Sequence, residues 1–459
     1  MRTDNDQGER SPMNQPVKSR SSSSQATDGS PKLLILTQYF PPEMGAPQTR
    51  LSELAERLID RGWQVEALTA LPNYFPAGKI LGDYDPKKPV VEQVGRTRTV
   101  RVPLTPAKQG FLKRLWCYLS FVRSARKHGP RLCSRPDLIL AESPPLFICW
   151  AARYLARKWN TRYVANISDL WPESLVRMGV VRRGLAVRLA ESLESSFYRN
   201  AAGVTGQSEE IIEWVRQRAA GVPTQVITNG VSPDRFGKDK ADDESRRLLG
   251  DSSVPTFLYA GLMGYAQGLD QILDAAAKVP RETPIRFVLM GEGPEREKLA
   301  ERVAREKLDR VIILPSQPRD RVPAMLAAAD ATIIPLKTRL PGAVPSKIYE
   351  SMASSLPIVL IADGEPKTRV ERAGCGFAVS PGDVAGAADA CARLAADPDL
   401  RKRLGEAGRK AAESEYDRDR IAGKLDAFLR ERLGRLEAGN AASHGLRKQG
   451  VEAPSQKTS

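Results

Sequence analysis

At 459 residues, with 41% hydrophobic and 27% charged side chains, the chain is long enough to bury a sizeable core and to fold as more than one domain. Extensive disorder, collagen-like repeats and a small disulfide scaffold are excluded as descriptions of the whole. Seventy Lys and Arg against 55 Asp and Glu leave a net charge of +15, an excess suited to phosphate groups, an anionic membrane or nucleic acid.

Residues 1–30 hold almost no large apolar side chains and read as a disordered tail without the apolar stretch of a secretory signal. Short apolar, β-rich runs then alternate with segments of helical period, the pattern of parallel sheets covered by helices in an α/β fold. The first set of predicted strands is 32–37, 64–69, 98–103, 138–142, 162–167 and 202–206. The second is 256–262, 285–291, 311–315, 331–335, 357–362 and 376–380. Two similar sets imply two domains, with the boundary between Arg218 and Thr256, where Gly221, Pro223, Gly230, Pro233 and Gly237 cluster. A last helix over 417–433 carries Ile421, Leu425, Phe428 and Leu429 on one stripe and needs a surface to bury them. No stretch approaches the length of a membrane span; the best, from Leu138 to Ala156, is broken by Glu142, Pro144, Pro145 and Arg153. Five cysteines without a Cys-x-x-Cys spacing suggest neither a disulfide framework nor a zinc ribbon and fit a reducing cytosol.

Ligands of open parallel sheets sit beyond the carboxyl ends of the strands, and two facing sheets create a cleft between them. The informative residues are therefore those that follow strands. After the first strand, Gly45 precedes a helix starting near Pro47, where backbone N–H groups can meet an anion or where a turn simply needs glycine. In the second half Gly261, Gly264 and Gly268 precede a helix near Leu269, and Gly291 and Gly293 precede another. No G-x-G-x-x-G fingerprint of a nicotinamide dehydrogenase occurs at the first loop. A helix beginning near Ser346 would bring Ser346, Lys347 and Glu350 to the mouth of the cleft. There a lysine can balance phosphate charge and a carboxylate can accept two hydroxyls of a ribose, or the two can form an ordinary surface ion pair.

The order QYFPPEMGAP, ISDLWPESL, VITNGV, YAGLMGYAQGLD, VLMGEGPEREKL and PSKIYESMASSLPIV, spanning roughly residues 32–435, resembles retaining glycosyltransferase family 4. Within that family it is most similar to the transferases that build O-antigen, colanic acid and capsule repeat units, including amino-sugar transferases. The resemblance implies the GT-B architecture, two Rossmann-like domains facing a cleft: residues 31–225 for the acceptor and 226–412 for the nucleotide sugar. A crossover helix over 413–436 and a loose tail over 437–459 would follow.

Carried over by residue, the resemblance puts Glu350 at the second acid of the family's E-x7-E motif, on the ribose. The first acid would fall at Gly342, so the sugar hydroxyls would be met by backbone N–H groups of Ala343 and Val344. Leu262 and Gln267 stand where many members carry an Arg and a Lys for the diphosphate, and Lys347, Arg50 or the helix start at Gly45 would share that work. Gly261, Gly291 and Ser346 complete the expected donor site. Ser168 and Asp169 stand where many members place a His and an Asp, which leaves Asp169 as the candidate catalytic group or as a cap of the turn before Trp171. The implied reaction moves a hexose or N-acetylated amino sugar, with retention, from a nucleotide-diphosphate donor (UDP preferred over GDP) to a lipid-linked or saccharide acceptor. The leaving diphosphate takes the acceptor's proton, and no metal or other cofactor is expected.

From Gln93 to Pro136 there is no acidic residue, while a helix over GFLKRLWCYLSFVRSARK would set Lys113, Arg114 and Trp116 among apolar neighbours, as an interfacial helix requires. Together with Arg50 these are the expected acceptor and membrane contacts of a cytoplasmic protein held at the inner face of the membrane. The alternatives are another GT-B enzyme, a nucleotide-sugar 2-epimerase or hydrolase, and a basic nucleic-acid-binding or scaffold protein. The second lacks recognition motifs and interleaved aromatics, so no nucleic-acid partner is expected.

Overall fold

The computed structural model describes residues 29–43, 45–73, 80, 82–107, 110–250 and 253–449. Residues 1–28, most of the expected tail, and Lys108 lie outside the described residues. The first sheet comprises β1 (Lys32–Leu36), β2 (Gln64–Ala70), β3 (Val90–Val94), β4 (Thr97–Val102), β5 (Leu138–Ser143), β6 (Arg162–Ile167), β7 (Gly203–Gly206) and β8 (Thr224–Val226). The second comprises β9 (Thr256–Ala260), β10 (Arg286–Met290), β11 (Val311–Leu314), β12 (Ala331–Pro335), β13 (Ile358–Ile361) and β14 (Gly376–Val379). The strand orders are β3-β4-β2-β1-β5-β6-β7-β8 and β11-β10-β9-β12-β13-β14. All neighbours run parallel except β3, which pairs antiparallel with β4.

In β1 the period of two splits the apolar residues between both faces. Leu34 and Leu36 enter the core under the helices Phe111–Leu132 and Ile148–Trp159, and Leu33 and Ile35 enter the core under the helix Ala46–Asp60. A strand buried on both sides has no polar alternation to give, which is why KLLILT reads as a continuous apolar run. The final helix lays Ile421, Ala422, Leu425, Phe428 and Leu429 onto that second cluster, against Leu33, Leu51 and Leu54. Its stripe is thus buried on the first domain although the chain reaches it from the second.

The helix departs from the expected 413–436. Residues up to Ser414 belong to the preceding helix Pro398–Ser414, a bridge between Val231 and Asp417 occupies the link, and the last helix runs from Arg418 to Gln449. Residues 437–449 of the expected loose tail are therefore helical, and 450–459 lie outside the described residues. Strands β3 and β8 lie outside the twelve predicted: β3 alternates half-buried and exposed positions at a sheet edge, and β8 has only three residues. Among the described residues no helix is long and apolar enough to cross a membrane.

The strand order reverses between β1 and β5 in one sheet and between β9 and β12 in the other, and crevices for ligands open at such switch points. The loops holding Gly45 and Gly261 leave β1 and β9, the strands at those two points. The topology alone thus directs both loops into the space between the sheets.

Candidate active site

A cleft of about 1150 Å3 lies between the two sheets. The first domain lines it with Tyr39, Glu43, Gly45, Asn73, Arg114 and Tyr118, and the second with Gly261, Leu262, Gly291, Glu292, Arg319, Ser346, Lys347 and Glu350. Ser232, Arg235 and Arg418 come from the two chain crossings between the domains.

On the second domain's wall, backbone runs against backbone. A Cβ on Gly291 would lie 1.9 Å from the carbonyl oxygen of Gly261, and one on Gly293 would lie 2.3 Å from that of Met263, so neither position tolerates a side chain. At Gly261, where φ is +146, a Cβ would sit 2.5 Å from Lys347 Nζ. The glycines that recur after these strands therefore bring the loops after β9 and β10 together and leave room for one lysine. Gly45 differs: its φ of 166 is extended backbone, and the helix that follows starts at Ala46 with Pro47 in its first turn.

The helix Ser346–Ala353 begins at the cleft after Pro345. Its inner face, Ile348, Tyr349 and Met352, is fully buried, which fixes the helix and turns Ser346, Lys347 and Glu350 toward the cleft. The Lys347 ammonium lies 5.3 Å from the centroid of the Tyr259 ring. Loss of hydration pushes its pKa down, against the opposing pull of Glu350.

The first domain's wall is braced by polar groups. Glu43, 4% exposed, accepts a hydrogen bond from the Asn73 backbone N–H at 2.5 Å. Below it Arg50 is 1% exposed, ion-paired with Glu142 at 2.5 Å and donating to the Ser168 hydroxyl at 2.7 Å. The expectation that Arg50 meets acceptor, membrane or diphosphate is corrected: it is spent inside the domain, where Glu142 offsets its charge.

Several other expected site residues do not line the cleft. Asp169 accepts from the Ser174 hydroxyl and from the Leu170 N–H, the role of a turn cap, and burial pushes its pKa up. Gln267 folds over its own loop, donating its N–H to the Gly264 carbonyl at 3.2 Å. The Ala343 N–H is taken by the Leu340 carbonyl at 3.2 Å and so is not offered to a sugar hydroxyl; Val344 packs at the edge of the core beside Tyr349. Lys113 and Trp116 are exposed on the first turns of the helix Phe111–Leu132, and only Arg114 of that trio reaches the cleft.

Residues at and beside the cleft that no sequence motif singles out include Arg319 and Glu53. Arg319, in the loop after β11, donates to the Thr49 hydroxyl of the opposite domain at 2.6 Å. Glu53 gathers Arg57 at 3.5 Å, Arg235 at 3.8 Å and Arg418, joining helix, linker and final helix. For Arg319 a signal existed, since it follows a strand. Glu53 and Arg418 are 365 positions apart, and nothing local marks them.

Two family models match the chain: "Glycosyl transferase 4-like domain" over residues 45–230 and "Glycosyl transferases group 1" over residues 241–411. WcaI of Escherichia coli (strain K12), whose name ascribes it to glycosyl transfer in colanic acid biosynthesis, is 26% identical over 344 residues, 72% of this chain and 83% of that protein. A GDP-mannose-dependent alpha-(1-6)-phosphatidylinositol monomannoside mannosyltransferase of Mycobacterium tuberculosis is 25% identical over 421 residues, 87% of this chain and 98% of that one. Among solved structures, HepE of Anabaena in complex with UDP-glucose shares the fold, with a TM-score of 0.62 and 18% identity over 87% of this chain and 99% of that one.

Proposed function

The chain belongs to the family 4 glycosyltransferases of GT-B fold, and we propose that it moves a hexose or N-acetylated amino sugar, with retention, from a nucleoside diphosphate to a lipid-linked or saccharide acceptor in cell-surface polysaccharide synthesis. One observation carries the reading: the helix start Ser346–Glu350 and the glycine loops after β9 and β10 converge on one interdomain cleft. In this reading Glu350 holds the ribose hydroxyls, and the acceptor enters along the first domain's wall at Glu43 and Tyr118. The anomeric carbon parts from the β-phosphate oxygen, which keeps the electron pair. The acceptor oxygen bonds that carbon on the same face, and its proton passes to the phosphate. Such a route asks little acid or base of the protein and much charge stabilisation in a site closed to water. UDP is the proposed nucleotide, in line with the UDP-glucose in HepE; the mannosyltransferase above, named for GDP-mannose, makes GDP the rival.

The transfer is proposed to need no metal ion, so activity should be undiminished by EDTA. The protein is proposed to work at the inner face of the cytoplasmic membrane, docked by the exposed Leu112, Lys113, Arg114 and Trp116.

Thermal shift against UDP, GDP and their sugars tests the nucleotide site, because a ligand of the native state alone raises the melting temperature. A shift with one nucleotide family that Glu350→Ala abolishes is the expected result. A wild-type shift left intact by Glu350→Ala would place the ribose elsewhere.

A further inference from the structure

We propose that Lys347 is the group that meets the charge of the donor's diphosphate in this chain. This deepens the nucleotide-sugar reading and rests on it. A diphosphate is held more strongly where a cation adds to backbone dipoles, and a cation not already committed to a carboxylate is the best placed to do so. The cations lining it are Arg114, Arg235, Arg319, Lys347 and Arg418.

Four of the five are engaged or peripheral. Arg418 is ion-paired with Glu53, and Arg235 approaches the same carboxylate at 3.8 Å. Arg319 donates across the cleft to Thr49. Arg114 lies exposed to solvent in the first turn of the helix Phe111–Leu132. Lys347, like Arg114 and Arg319, has no carboxylate within 4.0 Å, but unlike those two it is not exposed to solvent, and it donates no hydrogen bond among the described residues.

Its position is built rather than incidental. Because Gly261 has no side chain, the Lys347 ammonium can lie against the backbone of the loop leaving β9 at the switch point, 5.3 Å from the centroid of the Tyr259 ring. That setting limits the hydration of a positive charge that forms no ion pair, and an anionic ligand is what would complete it. Glu350 stands three residues further along the same helix, and side chains at that spacing lie about 5–6 Å apart. A ribose on Glu350 thus brings the phosphates that follow it within reach of Lys347. The loop after β9 carries no cation: Leu262 lines the cleft and Gln267 is turned back on Gly264. A lysine from the neighbouring helix takes over a charge that this loop does not carry.

The test is calorimetric titration of the full-length protein, wild type, Lys347→Met and Lys347→Arg, with UDP, UMP and uridine and with GDP, GMP and guanosine. Met keeps the apolar stem beside Gly261, and thermal melting reports whether each variant is folded. Lys347→Met should lose about tenfold to hundredfold in affinity for the nucleoside diphosphate, the range for one charge-assisted hydrogen bond, while nucleoside affinity stays the same. Lys347→Arg should recover part of the loss. A purely structural lysine would weaken diphosphate and nucleoside alike, and that outcome overturns the proposal, as does a Lys347→Met protein that binds the diphosphate as well as wild type. Wild-type protein that binds neither UDP nor GDP would instead overturn the nucleotide-sugar reading on which the proposal stands.

Discussion

Gly342 occupies the position where the resemblance to family 4 calls for a carboxylate, and its surroundings explain the glycine. Its φ is +74, and a Cβ there would lie 2.4 Å from Ile211 Cγ1 and 2.7 Å from Ser208 Oγ, both in the other domain. The backbone N–H of Gly342 donates to Glu210 at 2.6 Å, so the two domains touch through this peptide. Gly342→Glu, which restores the motif on paper, should therefore destabilise the protein by about 1–3 kcal/mol from backbone strain alone and leave transfer impaired. Urea denaturation measures the loss, and a variant at least as stable and active as wild type would contradict this account. Glu194 gives a second residue-level expectation. It is 1% exposed, accepts hydrogen bonds from Tyr198 and Trp214, and has its pKa pushed up to about 7 by burial. The folded state thus holds this proton more tightly than the unfolded chain, whose Glu titrates near 4.5. Stability from this group is full below the unfolded value and is lost as pH rises toward 7, on the order of 3 kcal/mol in all. Glu194→Gln should flatten the dependence of melting temperature on pH between pH 5 and pH 8; equal slopes in variant and wild type would count against it.

At the scale of elements, the helix Phe111–Leu132 is two things in sequence. From Cys117 onward its inner face, with Phe121, Val122 and Ala125, is buried in the first core. Its opening turns are not: Leu112 is 75% exposed and Trp116 61%, beside the exposed Lys113 and Arg114. The basic run around it is less free than its composition implies, since Arg96, Arg98 and Arg101 pair with Glu56, Glu66 and Glu92. Membrane docking should therefore depend on the opening turns. Leu112→Glu with Trp116→Glu is expected to abolish most binding to anionic vesicles while changing stability by less than about 1 kcal/mol, because neither side chain is buried. Vesicle sedimentation at low and high salt checks this; undiminished binding, or binding that ignores salt, would sink it. The same division governs what could be read from sequence. All twelve expected strands are present because buried parallel strands announce themselves as apolar runs, whereas β3 and β8 carry no such run. Ser346, Lys347 and Glu350 were legible because one helix start fixes all three. Arg50 misled because a lone arginine near a helix start does not reveal the Glu142 that waits for it 92 residues later.

At the scale of the whole molecule, the chain crosses between domains twice, and the second crossing returns a helix that the first domain's core requires. Leu429, fully buried, packs with Leu425 and Phe428 against Leu33, Leu51 and Leu54, so the last element of the sequence completes a core begun by the first strand. Leu429→Ala should remove about 2–5 kcal/mol, the range for a buried leucine truncated to alanine. The loss should fall on the first domain alone, although the substituted residue follows the second domain in sequence. All six tryptophans, Trp63, Trp116, Trp150, Trp159, Trp171 and Trp214, precede residue 220, so tryptophan fluorescence reports unfolding of the first domain only. Circular dichroism in the far ultraviolet reports helices of both. In urea the fluorescence midpoint of Leu429→Ala should fall below that of wild type, with circular dichroism showing a second transition at the wild-type position. If both probes moved together, the two domains would unfold as one cooperative unit, joined through the contacts of Glu53, Arg319 and Gly342. If neither moved, the final helix would not be the load on the first core that its burial implies.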